Sequence, residues 1–316
     1  METGIHRDSI IGQVEHILSF GNHIILAIEQ SSRPILSYNI ETGQLQRFGW
    51  LGRGKNEIIS INQIGVYPIE NKSAFYLHGN FSETLFVYTL DETAEWELSE
   101  AKEMNNFLSF DLDSNSVIGT NKTSDSRYLL NDRRYETLSE FGDYAEFDKI
   151  GDVGEGIRFY KYGSCVVNPS LKRCAWFSYY GEACNIIDYS DPKNVKIPHR
   201  KVYKSAALHE TSWGETSLLA NETKMGFISL TGSDKHIMAL CGSDGTMKEL
   251  ILANEPHNRS HDICIFDWNG KYVRRLVSDL PMVALSYNKD REELFVVILN
   301  EDYYYEVVSL PLKDMI

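Results

Sequence analysis

The sequence predicts an all-β protein, a six-bladed β-propeller built from four-stranded antiparallel blades. Three observations predict this fold: short strand-forming segments recur along the whole chain, helical periodicity is almost absent, and the middle segments of the repeats are apolar throughout. We expect one propeller domain over residues 1–316, in which an N-terminal strand completes the last blade.

The first repeat shows the pattern from which the fold is predicted. Residues 23–28, 34–40 and 44–48 are short segments that we interpret as strands, and turn residues separate them. Gly43 supplies the positive φ that a tight turn requires. Strand, turn and strand in this order predict an antiparallel meander.

Five further meanders follow, and six in total give about 53 residues for each repeat of the 316-residue chain. That length is slightly above the roughly 40–50 residues of known propeller blades. Two polar insertions, residues 205–223 and 243–260, explain the excess. Seven blades would fit the length equally well, so the number depends on the assignment of strands. The five later meanders lie within residues 74–98, 106–138, 164–203, 226–277 and 283–310.

Middle strands such as residues 263–266 and 294–299 are continuously apolar, which is typical of sheets buried on both faces. The sixth meander has only three clear strands. Residues 9–14 are therefore predicted to supply its missing outer strand, which would leave no open sheet edge.

Composition and charge restrict the functional class. A net charge of −14 disfavours nucleic acid, because binding requires Lys and Arg to displace counterions. The most basic segment, residues 193–204, is interpreted as a solvated edge strand. No apolar run approaches the ~20 residues of a transmembrane helix. The polar N-terminus lacks a signal-peptide core, so we expect either a cytosolic protein or a mature chain whose leader has been removed.

The five cysteines contain no Cys-x-x-Cys pair, which disfavours a zinc ribbon. Cys241 and Cys264 stand within apolar segments and are interpreted as small buried hydrophobic residues. The cysteine spacing does not predict a disulfide framework.

Residues 49–56 approach a phosphate-binding loop but have Asn56 where Ser or Thr would hold magnesium. The loop would also have to open a helix, whereas residues 57–61 are predicted to form a strand. We therefore expect these glycines to shape a connection between blades.

Other candidate residues are weaker. His257 and His261 have a zinc spacing only if they share a helix face, and the surrounding residues predict a loop. Channel calcium in propeller enzymes is held by oxygen ligands from several blades, so carboxylates distant in sequence remain candidates. No Gly-x-Ser-x-Gly motif is present, and we predict no catalytic residue and no cofactor. The candidate calcium ligands are Glu155, Asp188, Glu210 and Asp262.

Trp213 stands in a polar insertion and is either an exposed binding anchor or a side chain half-buried against its own blade. Exposed tryptophans are common anchors at binding sites. Trp213 is therefore included among the predicted binding residues.

The C-terminal third resembles the TolB-like six-bladed propellers of Bacteroides-type bacteria. The resemblance rests on Asp-Lys-His-Ile-Met-Ala-Leu-Cys-Gly at residues 234–242, on His-Asp-Ile-Cys-Ile-Phe-Asp-Trp-Asn-Gly-Lys at residues 261–271, and on the final strand pair at residues 293–310. Residues 51–57 resemble the family loop Gly-x-Gly-Pro-x-Glu, with Lys55 in place of proline. Arg53 and Glu57 of this loop join Trp213 as predicted binding residues.

The matching segments cover about a third of the chain, and residues 105–156 do not match. The resemblance implies a six-bladed fold and an envelope location, exported or lipid-anchored outside this chain, but no reaction. We therefore expect a non-enzymatic binding module for a protein, peptide or glycan. The alternatives are a lactonase-like hydrolase or lyase with a channel metal, and a structural subunit of an envelope complex.

Overall fold

The structure is a computed structural model, and the part of the chain that it describes consists almost entirely of β-strands. The all-β prediction is therefore confirmed. The described residues are 13–29, 31–54, 56–79, 83–144, 159, 161–210, 216–219, 221–243, 245–246, 248–249, 260–302 and 304–312.

Four sheets are four-stranded antiparallel meanders in chain order, which is the arrangement of propeller blades. The first contains β1 (Gln13–Phe20), β2 (His23–Glu29), β3 (Ile35–Asn39) and β4 (Leu45–Phe48). The second contains β5 (Gln63–Val66), β6 (Ala74–Gly79), β7 (Thr84–Leu90) and β8 (Trp96–Glu103). The third contains β9 (Phe107–Leu112), β10 (Ser116–Asn121), β11 (Tyr128–Asp132) and β12 (Thr137–Phe141). The fourth contains β13 (Gly163–Asn168), β14 (Arg173–Ser178), β15 (Glu182–Asp188) and β16 (Lys196–Lys204).

The remaining strands form a hairpin and a larger sheet. The hairpin pairs β17 (Leu208–Glu210) with β18 (Thr216–Leu218), inside the first of the two polar insertions. The fifth large sheet has six strands: β19 (Phe227–Gly232), β20 (His236–Cys241), β21 (Ser260–Asp267), β22 (Tyr272–Asn288), β23 (Glu293–Leu299) and β24 (Tyr305–Pro311).

Six separate blades were predicted, but the described residues contain five sheets of four or more strands. The predicted number of blades is therefore wrong for the described residues. The predicted fifth and sixth meanders are both present as strands. They are joined because β22 runs for 17 residues without a turn. Its C-terminal part, from Met282 to Asn288, pairs with β23, so one hydrogen-bonded sheet contains both meanders.

The chain divides into two compact units. Unit 1 contains residues 1–105 and 282–316, and unit 2 contains residues 106–281. The boundary falls within β22.

Most of the segment predicted to complete the last blade, residues 9–12, lies outside the described part of the chain. Its last two residues, Gln13 and Val14, belong to β1 and pair with β2 in the first sheet. A two-residue loop between Phe20 and His23 joins these strands, and its first residue, Gly21, has φ of +52°. Glycine at that position favours a tight hairpin with the next strand.

Side chains nevertheless connect the two ends of the chain within unit 1. The buried amide of Asn288 donates hydrogen bonds to Ser19 Oγ and Gly21 O, each 2.9 Å long. Ser286 Oγ accepts a hydrogen bond from Ser19 N at 2.8 Å, and Asp290 Oδ2 accepts one from Gly21 N at 2.9 Å. The N-terminal hairpin is therefore held to the last strands by polar contacts and by a shared apolar core.

Middle strands are buried on both faces, as their composition predicts. All six residues of β6 and of β10 are buried, and so are the last six of β23. In unit 1, the rings of Phe48, Phe75, Tyr88 and Trp96 form one aromatic cluster, with centroid separations from 4.9 to 6.4 Å.

The buried aromatic cluster of unit 2 surrounds a cation. Trp176 and Arg127 are both fully buried, and the Arg127 guanidinium lies 4.2 Å from the centre of the Trp176 ring. The rings of Tyr128 and Tyr144 each lie 5.1 Å from the same guanidinium. Aromatic faces attract a cation most strongly where water is excluded, so these rings offset part of the cost of burying Arg127.

Unit 1 should lose stability as the pH falls from 6.5 towards 4, because His16 in β1 resists protonation. Burial lowers the pKa of His16 to about 4, although its hydrogen bond with the backbone of Ile61 acts in the opposite direction. An unfolded histidine binds its proton near pH 6.5, so the unfolded state takes up protons first on acidification. Full protonation would cost up to about 3 kcal/mol of unfolding free energy.

The measurement is urea unfolding at several pH values for the wild type and for the His16→Gln variant, which cannot titrate. We expect the stability of the variant to fall less between pH 6.5 and 4, since carboxylate effects are common to both proteins. Parallel curves would contradict this role of His16.

Candidate functional site

The connection between β4 and β5 carries the exposed apolar surface that we select as the candidate site. Gly49 follows the last residue of β4 and has φ of +73°, a conformation that favours glycine. Ile58 lies beside the start of this connection. Its amide donates to Trp50 O at 2.8 Å, and its carbonyl accepts from Gly52 N at 3.0 Å. The described residues 50–54 and 56–58 therefore belong to a loop that is closed where Ile58 meets Trp50 and Gly52.

The carboxylate of Glu57 binds the backbone of this loop. Its Oε2 accepts a hydrogen bond from Gly54 N at 2.6 Å, and its own amide donates to Gly54 O at 3.1 Å. A Cβ atom on Gly52 would lie 2.0 Å from Glu57 Oε2, and one on Gly54 would lie 2.9 Å from Glu57 Cδ. The two glycines thus make room for the carboxylate, which explains the Gly-x-Gly-x-x-Glu spacing.

Three large apolar side chains of the β4–β5 connection are exposed. Trp50 is 57 % exposed, Leu51 46 % and Ile59 40 %. A backbone bridge pairs Leu51 with Ile58, the residue before Ile59. Solvent-exposed apolar side chains gathered in one place mark interaction sites more often than scattered ones do.

Cationic groups accompany the apolar side chains. The Arg33 guanidinium lies 4.6 Å from the centre of the Trp50 ring and donates from Nη1 to Arg47 O at 3.2 Å. The loop is joined to the turn that carries Arg33 by a hydrogen bond from Leu51 N to Ser32 O. We call the set Trp50, Leu51, Ile59, Arg33 and the exposed Arg53 the Trp50 surface.

The structure describes two of the three predicted binding residues, and both belong to the same loop. Arg53 is exposed on the Trp50 surface, whereas the half-buried Glu57 binds the backbone of its own loop. Trp213 lies outside the described residues. A binding role for each of the three stays a prediction.

The residues that follow the glycines do not form the predicted strand. Residues 57–61 were expected to form a strand, but only Ile58 makes a bridge, and β5 begins at Gln63. The reason is that the carboxylate of Glu57 is turned to the loop backbone, and Asn56 before it has φ of +66°. No helix follows the glycines in the described residues, so the dipole that would hold a phosphate is not provided there.

Only some of the candidate metal ligands have described side chains. His257 and Glu155 lie outside the described residues, as does the side chain of Glu210. Asp188 accepts hydrogen bonds from the amide and hydroxyl of Ser190, and Asp262 forms an ion pair with Arg275. His261 Nδ1 is 3.0 Å from Ser278 O. Within the described ranges, no three His, Cys, Asp or Glu side chains form a group that could hold a metal ion.

The carboxylate of Asp113 in unit 2 is fully buried and is satisfied by structural contacts. Asp113 Oδ2 accepts hydrogen bonds from Lys172 Nζ at 2.8 Å and from Tyr189 OH at 2.9 Å, and Oδ1 binds Ser116. Burial alone would raise the pKa of Asp113, but Lys172 and the other donors lower it overall. A carboxylate held ionised by this many donors stabilises the fold and is a poor proton acceptor.

Two cysteines interpreted as buried hydrophobic residues are half-buried instead. Cys241 and Cys264 lie on neighbouring strands with their sulfur atoms 2.8 Å apart. The sequence could not reveal this proximity, because residues 242–263 separate the two cysteines. Trp50 was missed for a different reason: the glycines of its loop are the stronger local signal in the sequence.

Comparisons with known proteins show the fold alone. The chain is similar to the crystal structure of a "putative exported protein" from Bacteroides fragilis, with a TM-score of 0.58 and 9 % identity over 92 % of this chain and 80 % of that chain. It is also similar to Raptor from Chaetomium thermophilum, with a TM-score of 0.51 and 12 % identity over 94 % of this chain and 27 % of that chain.

No protein-family profile matches the sequence, and no curated protein matches it. Among the residues that the structure describes, no helix has the length and apolar character required to cross a bilayer. Taken with the four-stranded antiparallel sheets, the comparisons identify the chain as all-β and propeller-like.

Proposed function

We propose that this protein is a non-enzymatic binding module of the bacterial cell envelope, a single TolB-like propeller that takes a protein partner at the Trp50 surface. The exported protein of Bacteroides fragilis to which the fold is similar supports an envelope location.

The exposure of Trp50 beside Leu51 and Ile59 is the observation that carries this proposal. Burying the exposed parts of these three side chains against a partner would release water from apolar surface, at roughly 25 cal/mol per Å². Tryptophan and arginine are also the residue types most enriched among binding hot spots. A surface with both in contact is suited to anchor a partner.

The loop is well organised before binding. Backbone hydrogen bonds join residues 50, 52 and 58, the Glu57 carboxylate fixes the centre of the loop, and Arg33 lies over the Trp50 ring. A preorganised site loses less conformational entropy on binding.

Charge indicates the kind of partner. Arg33 lies over the Trp50 ring and Arg53 is exposed three residues after Trp50, in a chain whose net charge is −14. Guanidinium groups bind carboxylates through paired hydrogen bonds. The preferred partner segment therefore has an apolar side chain next to a carboxylate.

The test is site-specific photo-crosslinking in an envelope extract from a Bacteroides-type bacterium. A benzophenone amino acid replaces Leu51, which lies next to Trp50, and the matched control replaces Leu138, which is equally exposed at 46 %. We expect a discrete adduct from position 51 and none from position 138.

The Trp50→Ala substitution should abolish the position-51 adduct. Loss of a hot spot typically weakens binding by about 30-fold or more. The proposal would be refuted if position 51 gave no adduct, if position 138 gave the same one, or if the adduct persisted without Trp50.

A further inference from the structure

Cys241 and Cys264 are diagonal neighbours on one face of the fifth large sheet, within unit 2. Ala239 is paired directly with Cys264, and Leu240 with Ile263. Cys241 follows Leu240 and therefore lies on the same face of the sheet as Ala239 and Cys264. Diagonal cross-strand neighbours on one face are within side-chain reach of each other.

The sulfur atoms are closer together than this position alone requires. Their separation is 2.8 Å, whereas ordinary contacts between non-bonded heavy atoms are about 3.5–4.0 Å and a disulfide bond is about 2.05 Å. A small rotation of either side chain would bring the two atoms to bonding distance.

Cys241 and Cys264 are each only half-buried, at the edge of an apolar cluster that includes Ala239 and Phe266. Cys184, by contrast, is fully buried. On the exposed side of the pair, Arg275 forms an ion pair with Asp262, which lies two residues before Cys264 on β21. The cysteine pair therefore lies where a disulfide-bearing molecule can approach.

The two thiols differ in acidity. A hydrogen bond from Cys241 lowers the pKa of Cys264, burial acts against this effect, and attraction to Arg275 adds to it. The same hydrogen bond, followed by burial, raises the pKa of Cys241. Since a thiolate attacks disulfides faster than a thiol, Cys264 is suited to react first.

We propose that Cys241 and Cys264 form a reversible cross-strand disulfide by exchange with a small-molecule or protein disulfide. The Cys264 thiolate attacks one sulfur of the oxidant, forms a mixed disulfide and releases the other half as a thiolate. Cys241 then loses its proton to solvent and attacks the Cys264 sulfur, which releases the second half. Two protein thiols are oxidised, and one disulfide is reduced to two thiols.

The bond would link the last residue of β20 to the middle of β21 and so close the connection of residues 242–263 into a covalent loop. The two cysteines belong to unit 2, whereas the Trp50 surface belongs to unit 1. Formation of the disulfide therefore does not depend on the proposed binding function.

The test uses the full chain, reduced, desalted and incubated with oxidised glutathione, after which remaining thiols are alkylated in denaturant and counted by mass spectrometry. We expect two fewer alkylated cysteines than in the reduced protein, and a digest should contain a peptide pair joined through Cys241 and Cys264. Dithiothreitol should restore all five thiols.

Variants assign the order of attack and provide the control. Cys241→Ser should stop at a glutathione adduct on Cys264, Cys264→Ser should form no disulfide, and Cys184→Ser should behave like the wild type. Melting curves of the three variants confirm that each is folded. Five alkylated thiols after oxidation, or a disulfide between any other pair, would overturn the proposal.

Discussion

Replacing Trp176 with alanine should lower the free energy of unfolding by about 4–5 kcal/mol, among the largest effects of any single substitution in this protein. Trp176 is fully buried, so its removal leaves a cavity. The substitution also removes the ring that lies 4.2 Å from the buried Arg127 guanidinium. A buried charge that loses a favourable contact adds to the cost of the cavity.

Trp50→Ala is the matched control, because Trp50 also has an arginine over its ring, Arg33 at 4.6 Å, but is 57 % exposed. Surface substitutions usually change stability by less than about 0.5 kcal/mol, so Trp50→Ala should unfold at nearly the wild-type urea concentration. The measurement is urea unfolding followed by far-UV circular dichroism, which does not depend on tryptophan emission. Equal losses in the two variants would show that burial does not set the difference.

Asn288→Ala should cost about 2–4 kcal/mol by separating the two ends of the chain. The Asn288 side chain donates to Ser19 Oγ and Gly21 O, and its Oδ1 accepts from the amides of Asp290 and Arg291. Alanine would leave buried polar groups without these partners, at about 1–3 kcal/mol for each group.

Asn300→Ala is the control for Asn288→Ala, because it removes hydrogen bonds within a turn but no bond to the N-terminal hairpin. Asn300 Oδ1 accepts from the amides of Asp302 and Tyr304, and its side-chain amide bonds locally to Glu306. It thus has the turn bonds of Asn288 without a bond to the N-terminal hairpin. Thermal unfolding should show a clearly larger loss for Asn288→Ala, and similar losses would contradict the role of Asn288 in joining the ends.

The strands could be predicted where composition decides the structure. The apolar segments at β2, β6 and β23 are recognisable because a sheet buried on both faces tolerates few polar residues. By contrast, β1 was largely missed and β5 entirely, since Gln13, Glu15, His16 and Gln63 make these strands look polar. Their positions depend on partners elsewhere in the sheets.

Sheet boundaries were harder to predict than strands. Between the predicted fifth and sixth meanders, Ser278, Asp279 and Pro281 resemble a turn, yet β22 runs through them. Turn-forming residues are only a local preference, and pairing with the neighbouring strands overrides it.

The candidate site could be predicted only in part. The glycine and glutamate spacing revealed a shaped loop, but the orientation of Glu57 depends on contacts that the sequence does not specify. The proximity of Arg33 to Trp50 and of Cys241 to Cys264 arises from strand pairing between segments that are separated along the chain.

The contacts between Ser19 and Ser286, and between Gly21 and Asp290, join residues 267 and 269 positions apart in sequence. A ribosome that releases the chain from its N-terminus delivers all of unit 2 before the second segment of unit 1 appears. The hydrogen-bond partners of the first hairpin therefore become available only after Ser286 and Asp290 have been synthesised. Because distant contacts slow folding, nascent chains that end before residue 282 should be the species most dependent on chaperones.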